Sequence, residues 1–284
     1  VSAAAAVAEQ TTPAPGAPAE AQRWDRRRAF ALVFAAAVYV FLYAPIVVMA
    51  VFSFNEGAVQ SLPLKGFSTV WYERLANDAA MTDALIYSAK VSLFAVVIST
   101  IAGTAFALLF VRVKIKGRRV LQALIALPFV MPGMVLGIAL LLAFRQVGIQ
   151  PGMLAIVVAH VTFITPVVMF VVMQRLEALD HALEQAAMDL GAGPIRTFAY
   201  VVFPSIRTAL IAAALLGFTV SFDEVIVTFF VSGSEQTLPV HIWTLLRQGF
   251  SPVVNAILTI IAVVSVALIT VAMVVIARPR KGAA

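Results

Sequence analysis

No cysteine occurs anywhere in the 284 residues, which excludes disulfide frameworks, thiolate metal sites and cysteine nucleophiles. Charge is scarce: Asp, Glu, Lys and Arg make up 12% of the chain, against about 25% in an ordinary soluble domain. The three histidines, His160, His181 and His241, stand too far apart to form a metal-ligand set. The phosphate loop G-x-x-x-x-G-K-[ST] is absent, so this chain does not bind ATP in the usual P-loop manner. The net charge of +6 does not point to nucleic acid, because the basic residues flank apolar segments instead of forming one patch.

Apolar residues are abundant, at 62% of the chain with a mean hydropathy of +1.00. Such a composition needs lipid as its solvent. A bilayer core about 30 Å thick requires about 20 apolar residues of a helix. Six stretches qualify, at 29–54, 84–111, 120–144, 152–173, 206–231 and 254–277. Lys and Arg divide unevenly between the two sides these spans define. Fifteen lie before the first span, after the second and fourth, and after the last, against four in the other three loops (Lys65, Arg74, Arg145 and Arg247). The positive-inside rule then places both termini in the cytoplasm. Lys90, near the start of the second span, is expected to snorkel outward.

Residues 1–22, rich in Ala, Pro, Gln and Thr, are expected to be a disordered tail. The run RRRAF at Arg26–Phe30 resembles a twin-arginine export signal. The apolar run behind it is too long for a cleaved signal peptide and lacks a small-residue cleavage site, so an anchor helix is expected.

Between the fourth and fifth spans the pattern changes. Leu183, Ala186, Ala187 and Leu190 form one apolar helical stripe, with His181, Glu184, Gln185 and Asp189 on other faces. Asp180 can cap the start, and Gly191 can supply the left-handed residue that ends it. Pro194 suits the first turn of a second short helix, in which Ile195, Phe198, Ala199, Val202 and Phe203 repeat the spacing before Pro204. The result is an elbow of two short amphipathic helices. It can lie on lipid headgroups or dock on another protein, and the pattern alone leaves both open.

The segment EQAAMDLGAGPIRTFAYVVFP, Glu184 to Pro204, resembles the cytoplasmic EAA loop of ABC-importer permeases. Gln185-Ala186-Ala187, Gly191 and Val201-Val202-Phe203-Pro204 align with that motif without a gap. Gln185 stands where the family usually has Glu, with Glu184 one residue earlier; Val201 and Phe203 replace Ile and Leu. The segments GFSTVWYERL, LPFVMPGMVLGIALL, SFDEVIVTFFVSG and LPVHIWTLLRQGFSPVVNA are similar to the spermidine/putrescine importer permease group, and the resemblance covers nearly the whole chain after residue 28.

That resemblance implies an all-α integral membrane protein with six transmembrane helices and the type I ABC-importer permease fold. The implied division is a tail at 1–22, a first transmembrane helix at 23–53 and a core domain at 54–284. This core holds five further helices and the cytoplasmic coupling loop 176–205. Glu184, Gln185, Ala186, Ala187, Asp189, Leu190, Gly191 and Pro194 would then couple to a separate ATPase, which binds the ATP and Mg; no cofactor is expected in this chain. The implied partners are a second permease in a heterodimer, two ATPase subunits and an external solute-binding protein. The implied location is a prokaryotic cytoplasmic (inner) membrane. The chain would be a transport subunit and not an enzyme, moving a polyamine such as spermidine or putrescine by alternating access. Relatives in the group handle other small solutes, so an amino-acid derivative, iron or a sugar stays open as the cargo.

Two acids, Asp223 and Glu224, interrupt the fifth apolar stretch. A carboxylate at a membrane helix centre costs about 2.5–3.5 kcal/mol on insertion scales, so it faces a cavity, a partner or a helix break. Gly217, Ser221, Glu224 and Thr228 fall on one small-and-polar helical stripe, with Thr219 one turn before Asp223. Ser221, Asp223, Glu224 and Thr228 are the candidate solute pathway, with Glu224 facing it and Asp223 bonding a neighbouring helix or partner permease. A structural polar pair holding two subunits together is the other reading. Pro128, Pro132, Gly133 and Pro166 are expected to bend their spans, lining the path or simply kinking the packing. His160 is expected to hydrogen-bond between helices. The segment LPVHIWTLLRQGF is a short re-entrant or interfacial helix.

Two other functions compete. A secondary transporter would be self-sufficient and often repeats internally, and no repeat is visible by eye. An intramembrane enzyme would have to use Ser232, Ser234 and His241, which lie near one another without a recognisable nucleophile elbow.

Overall fold

The computed structural model describes the backbone of residues 17–249 and 251–277, with side chains from residue 28 onward except at 181, 248, 268, 269 and 271–277. Among the described residues the secondary structure is helical, apart from one isolated antiparallel bridge between Asn55 and Phe67. Each of the six apolar stretches coincides with helix, and two of them are broken. The remaining expectations for residues 1–16 and 278–284 lie outside the described residues.

The chain divides into two compact units, residues 1–73 with 252–284, and residues 74–251. The last helix falls in the same unit as the first. In the first unit α1 (Ala17–Ser53) packs along α12 (Pro252–Ala277). α1 starts inside the segment expected to be a disordered tail. After it, Trp71 Nε1 donates to the Asn55 carbonyl at 2.7 Å, and the Phe54 ring stacks on Phe67. α2 (Val70–Ala76) crosses the division.

The second unit is built around α6 (Met153–Glu177), packed between α3 (Ala79–Arg112) and α9 (Phe203–Phe222). Ile156, Ile164, Val168, Met169, Val172 and Leu176 of α6 are wholly buried or nearly so. Lipid tails are as apolar as these side chains, so the association depends on close fit instead of expulsion from water. Glycines supply that fit. A Cβ on Gly103 of α3 would lie 2.7 Å from Val168 Cβ and 2.9 Å from the Thr165 carbonyl oxygen. A Cβ on Gly217 of α9 would lie 2.9 Å from Ile164 Cγ2.

The third stretch is sharply bent. α4 (Arg118–Val130) and α5 (Gly133–Gln146) meet at 103° around Met131–Pro132. Pro132 has no N–H to continue the ladder and instead starts α5, its carbonyl accepting from Leu136 at 3.0 Å. The fifth stretch breaks between α9 and α10 (Ile226–Val231), and α10 packs on α5. α11 (Leu238–Gln248) packs against α3, where the Leu238 N–H donates to Ser88 Oγ at 2.7 Å.

Among the described residues four helices are long and apolar enough to cross a bilayer: Arg28–Ser53, Ala79–Arg112, Met153–Glu177 and Pro194–Phe222. The bent α4–α5 pair makes a fifth crossing if it is one span. The described part of the last helix, Pro252–Ala267, is apolar but shorter than that test requires.

Candidate functional site

Local chemistry builds the elbow between α6 and α9. Asp180 caps α7 (His181–Asp189), its carboxylate accepting from the Ala182 N–H at 2.9 Å. Gly191 adopts φ +81°, and its N–H and that of Ala192 bond back to the carbonyls of Met188 and Ala187. Only glycine enters this left-handed region without cost. Pro194 then opens α8 (Pro194–Thr197), whose φ it pre-sets.

The second arm differs from the expected separate short helix ending at Pro204. α8 runs through one π-helical turn, Phe198–Val202, straight into α9, so Pro194–Phe222 is a single rod. The wider turn accommodates the missing N–H and the bulky ring of Pro204. The rod is long and apolar enough to cross a membrane.

The elbow also exposes and hides different residues from those a simple stripe implies. Leu183, Gln185, Ala186, Met188, Asp189, Leu190, Gly191 and Pro194 are exposed and Ala187 is half-buried. Leu190 and Ile195 reach 89% and 85% exposure, an apolar surface that none of the described residues covers. Glu184, in contrast, is buried. Its carboxylate pairs with the guanidinium of Arg112, the last residue of α3. A cation there also suits the negative end of the α3 dipole. Arg112 is 72 residues away in sequence, and no local pattern named it.

The acids of the fifth stretch sit in the break between α9 and α10. Asp223 ends α9, its N–H bonding the Thr219 carbonyl at 3.1 Å, with its side chain exposed. Glu224 is half-buried, and its carboxylate accepts the Val227 N–H at 2.8 Å, closing the first turn of α10. The helix break thus separates the expected continuous stripe into two parts. Ser221 and Thr228 are buried and both bond to His160 of α6: Nδ1 lies 2.7 Å from Ser221 Oγ, and Nε2 lies 2.9 Å from Thr228 Oγ1. Thr228 Oγ1 also donates to the Glu224 carbonyl at 3.1 Å. When Thr228 gives its one proton to that carbonyl, Nε2 donates to Thr228, and a singly protonated ring accepts from Ser221 at Nδ1; the other tautomer reverses both roles. The interhelical bonding expected of His160 is what the geometry shows.

The residues of the competing enzyme do not form a relay. Ser232 Oγ donates to the Phe229 carbonyl, and among the described residues no hydrogen bond joins Ser232 or Ser234 to His241. Ser234 and His241 share a cavity of about 440 Å³ with Asp83, Tyr87, Lys90 and Glu235. Among the described residues no cluster of His, Cys, Asp and Glu could hold a metal ion.

Residues 95–281 match the family described as "Binding-protein-dependent transport system inner membrane component". The spermidine/putrescine transport system permease protein PotC of Haemophilus influenzae is 37% identical over 87% of this chain and 95% of its own length. The putrescine transport system permease protein PotI of Escherichia coli K12 is 38% identical over 78% of this chain and 82% of its own. Among solved structures, a chain of a bacterial ABC transporter that imports the acidic polysaccharide alginate superposes with a TM-score of 0.66. The overlap is 87% of this chain and 96% of that one, at 21% identity, a likeness of fold. An all-helical architecture with a capped elbow, a family match across most of the second unit and relatives at this identity lead to one conclusion: the chain belongs to the inner-membrane permease components of binding-protein-dependent ABC importers.

Proposed function

We propose that this permease subunit carries a polyamine such as spermidine or putrescine across the cytoplasmic membrane, with both termini and the elbow on the cytoplasmic side. A second permease, two ATPase subunits and an external solute-binding protein complete the importer. ATP and Mg are bound by the ATPases. The observation that carries the mechanical part is the elbow: Leu183, Met188, Leu190 and Ile195 are exposed among the described residues, while its second arm is continuous with a helix long and apolar enough to cross a membrane. Gln185, Ala186, Ala187, Asp189, Leu190, Gly191 and Pro194 present or shape the surface on which an ATPase fits, and Glu184 fastens it to α3. Closure of the ATPases then moves α9 and turns the cavity outward.

Two lines support a cationic cargo. The two relatives reported above are named for spermidine and putrescine or for putrescine alone, and Asp223 and Glu224 sit where a helix is interrupted. Carboxylates there lower the cost of dehydrating a dication in transit. Glu224 is the acid that faces cargo, Asp223 bonds the partner permease or a neighbouring helix, and Ser221 and Thr228 support the site from their buried bonds to His160. The test is binding-protein-stimulated ATPase activity of the reconstituted complex, measured with putrescine, spermidine, amino acids, sugars and iron chelates. Stimulation by the polyamines is expected. A response limited to anions or sugars rejects the assignment.

A further inference from the structure

Ser221 and Thr228 are seven residues apart, one in the last turn of α9 and the other in α10, with Asp223 and Glu224 between them. In an unbroken α-helix seven residues advance about 10 Å along the axis. One imidazole with hydrogen bonds of 2.7 and 2.9 Å spans less than that. His160 therefore fits the broken form and works against straightening it. The ring is wholly buried and tilted against Phe163 at a centroid distance of 5.2 Å, which fixes its orientation from α6. The network also reaches the acid: Thr228 Oγ1 bonds the Glu224 carbonyl, while the Glu224 carboxylate closes the first turn of α10.

We propose that His160 is a positioning residue for solute passage, bracing the helix break through Ser221 and Thr228 so that Glu224 is held toward the cargo. The inference rests on the reading of Glu224 as a cargo-facing acid. It goes beyond that reading by assigning the orientation of the acid to a residue on another helix. Loss of the brace lets the junction relax, and the carboxylate then spends part of its time turned from the path. A positioning role of this kind appears in the affinity for cargo and only through Glu224.

The experiment is putrescine uptake by the complete importer in proteoliposomes, normalised to the complex recovered. His160→Leu and Thr228→Val are each measured alone and combined with Glu224→Gln. His160→Leu removes the bonds to Ser221 and Thr228, and Thr228→Val removes those to His160 and the Glu224 carbonyl; one net buried hydrogen bond already corresponds to a rise of about fivefold to tenfold in half-saturation. That rise is expected for both single variants, and it is expected to vanish when Glu224 is already neutral. Thr162→Val, which removes only an intrahelical bond of α6 to the Val158 carbonyl, is expected to change nothing. Thr228→Val is nearly isosteric, so it reports even if His160→Leu does not assemble. Shifts that multiply with that of Glu224→Gln, or that affect only the maximal rate, overturn the brace and leave the acid assignment intact. If Glu224→Gln alone leaves uptake unchanged, the acid assignment and the brace fall together.

Discussion

Arg112, at the end of α3, and Glu184, in the first turn of α7, form an ion pair that ties the elbow to the helix bundle. The carboxylate side is 8% exposed and the guanidinium side 29%, so the pair is shielded without being sealed. Besides its chain connection to α6, the elbow thus joins the bundle through this pair to α3 and the π-turn to α9. The position where the family usually has Glu holds Gln185, which is exposed. The buried neighbour is the acid that serves the chain itself.

Glu184→Ala and Arg112→Ala should each loosen the elbow by about 1–3 kcal/mol, the cost of leaving a partly buried charged group without its partner. The expected outcome is a complex that still hydrolyses ATP but moves several-fold less solute per ATP. Uptake and phosphate release measured on the same proteoliposomes give that ratio. Combining the two substitutions should cost less than the sum of the singles; full additivity would mean that the two side chains act separately.

Gly191 makes a different prediction, because nothing lies within 4 Å of where its Cβ would be. Space is available among the described residues, so within this chain the penalty is the left-handed backbone, about 1–2 kcal/mol for a residue with a Cβ. Gly191→Ala should reduce retention of the ATPase through purification, and Gly191→Asn should reduce it less, since Asn tolerates this conformation. Equal losses for both substitutions would rule out a backbone origin.

Local features of the elbow were legible in the sequence because they depend on neighbours in the chain. Asp180 as a cap, Gly191 in the left-handed region and Pro194 at a helix start each follow from one residue's own chemistry. Pro132 and Gly133 marked the bend of the third stretch for the same reason. The partners of Glu184 and His160 were not legible, being 72, 61 and 68 residues distant. The break at Asp223–Val225 carries neither Gly nor Pro, and its capping depends on the Glu224 side chain folding onto the Val227 N–H. Pro204 looked like a terminator, yet a π-turn carried the helix through it.

Gly103 and Gly137 separate two kinds of close approach. A Cβ at Gly103 meets backbone atoms of α6 at 2.9 Å, which cannot move aside, whereas one at Gly137 meets the Phe230 side chain, its ring at 2.7 Å. Overpacking of a tight core costs about 1–3 kcal/mol, and Gly103→Ala should fall at the upper end. Its thermal midpoint in detergent should drop more than that of Gly137→Ala. Trimming Val168 to Ala should not rescue Gly103→Ala, because the obstructing carbonyl of Thr165 and N–H of Met169 remain. A rescue would locate the clash in the side chain instead.

The absence of cysteine makes the docking surface directly testable, since each introduced thiol is the only one in the chain. Ala186 and Leu190 lie on the open face of the elbow, while Ala159 is wholly buried in α6. Ala186→Cys and Leu190→Cys should crosslink to an ATPase subunit in intact membranes, and Ala159→Cys should not. The crosslinks should form in both the nucleotide-free and the ATP-bound state, because a lever that moves with its motor keeps its contact through the cycle. A crosslink lost in one of these states would mean that the elbow leaves the ATPase and does not act as a docked lever. Thiols at Ala186 and Leu190 that react only with lipid-borne reagents would place the elbow on the headgroups, the reading that its amphipathic pattern also allows.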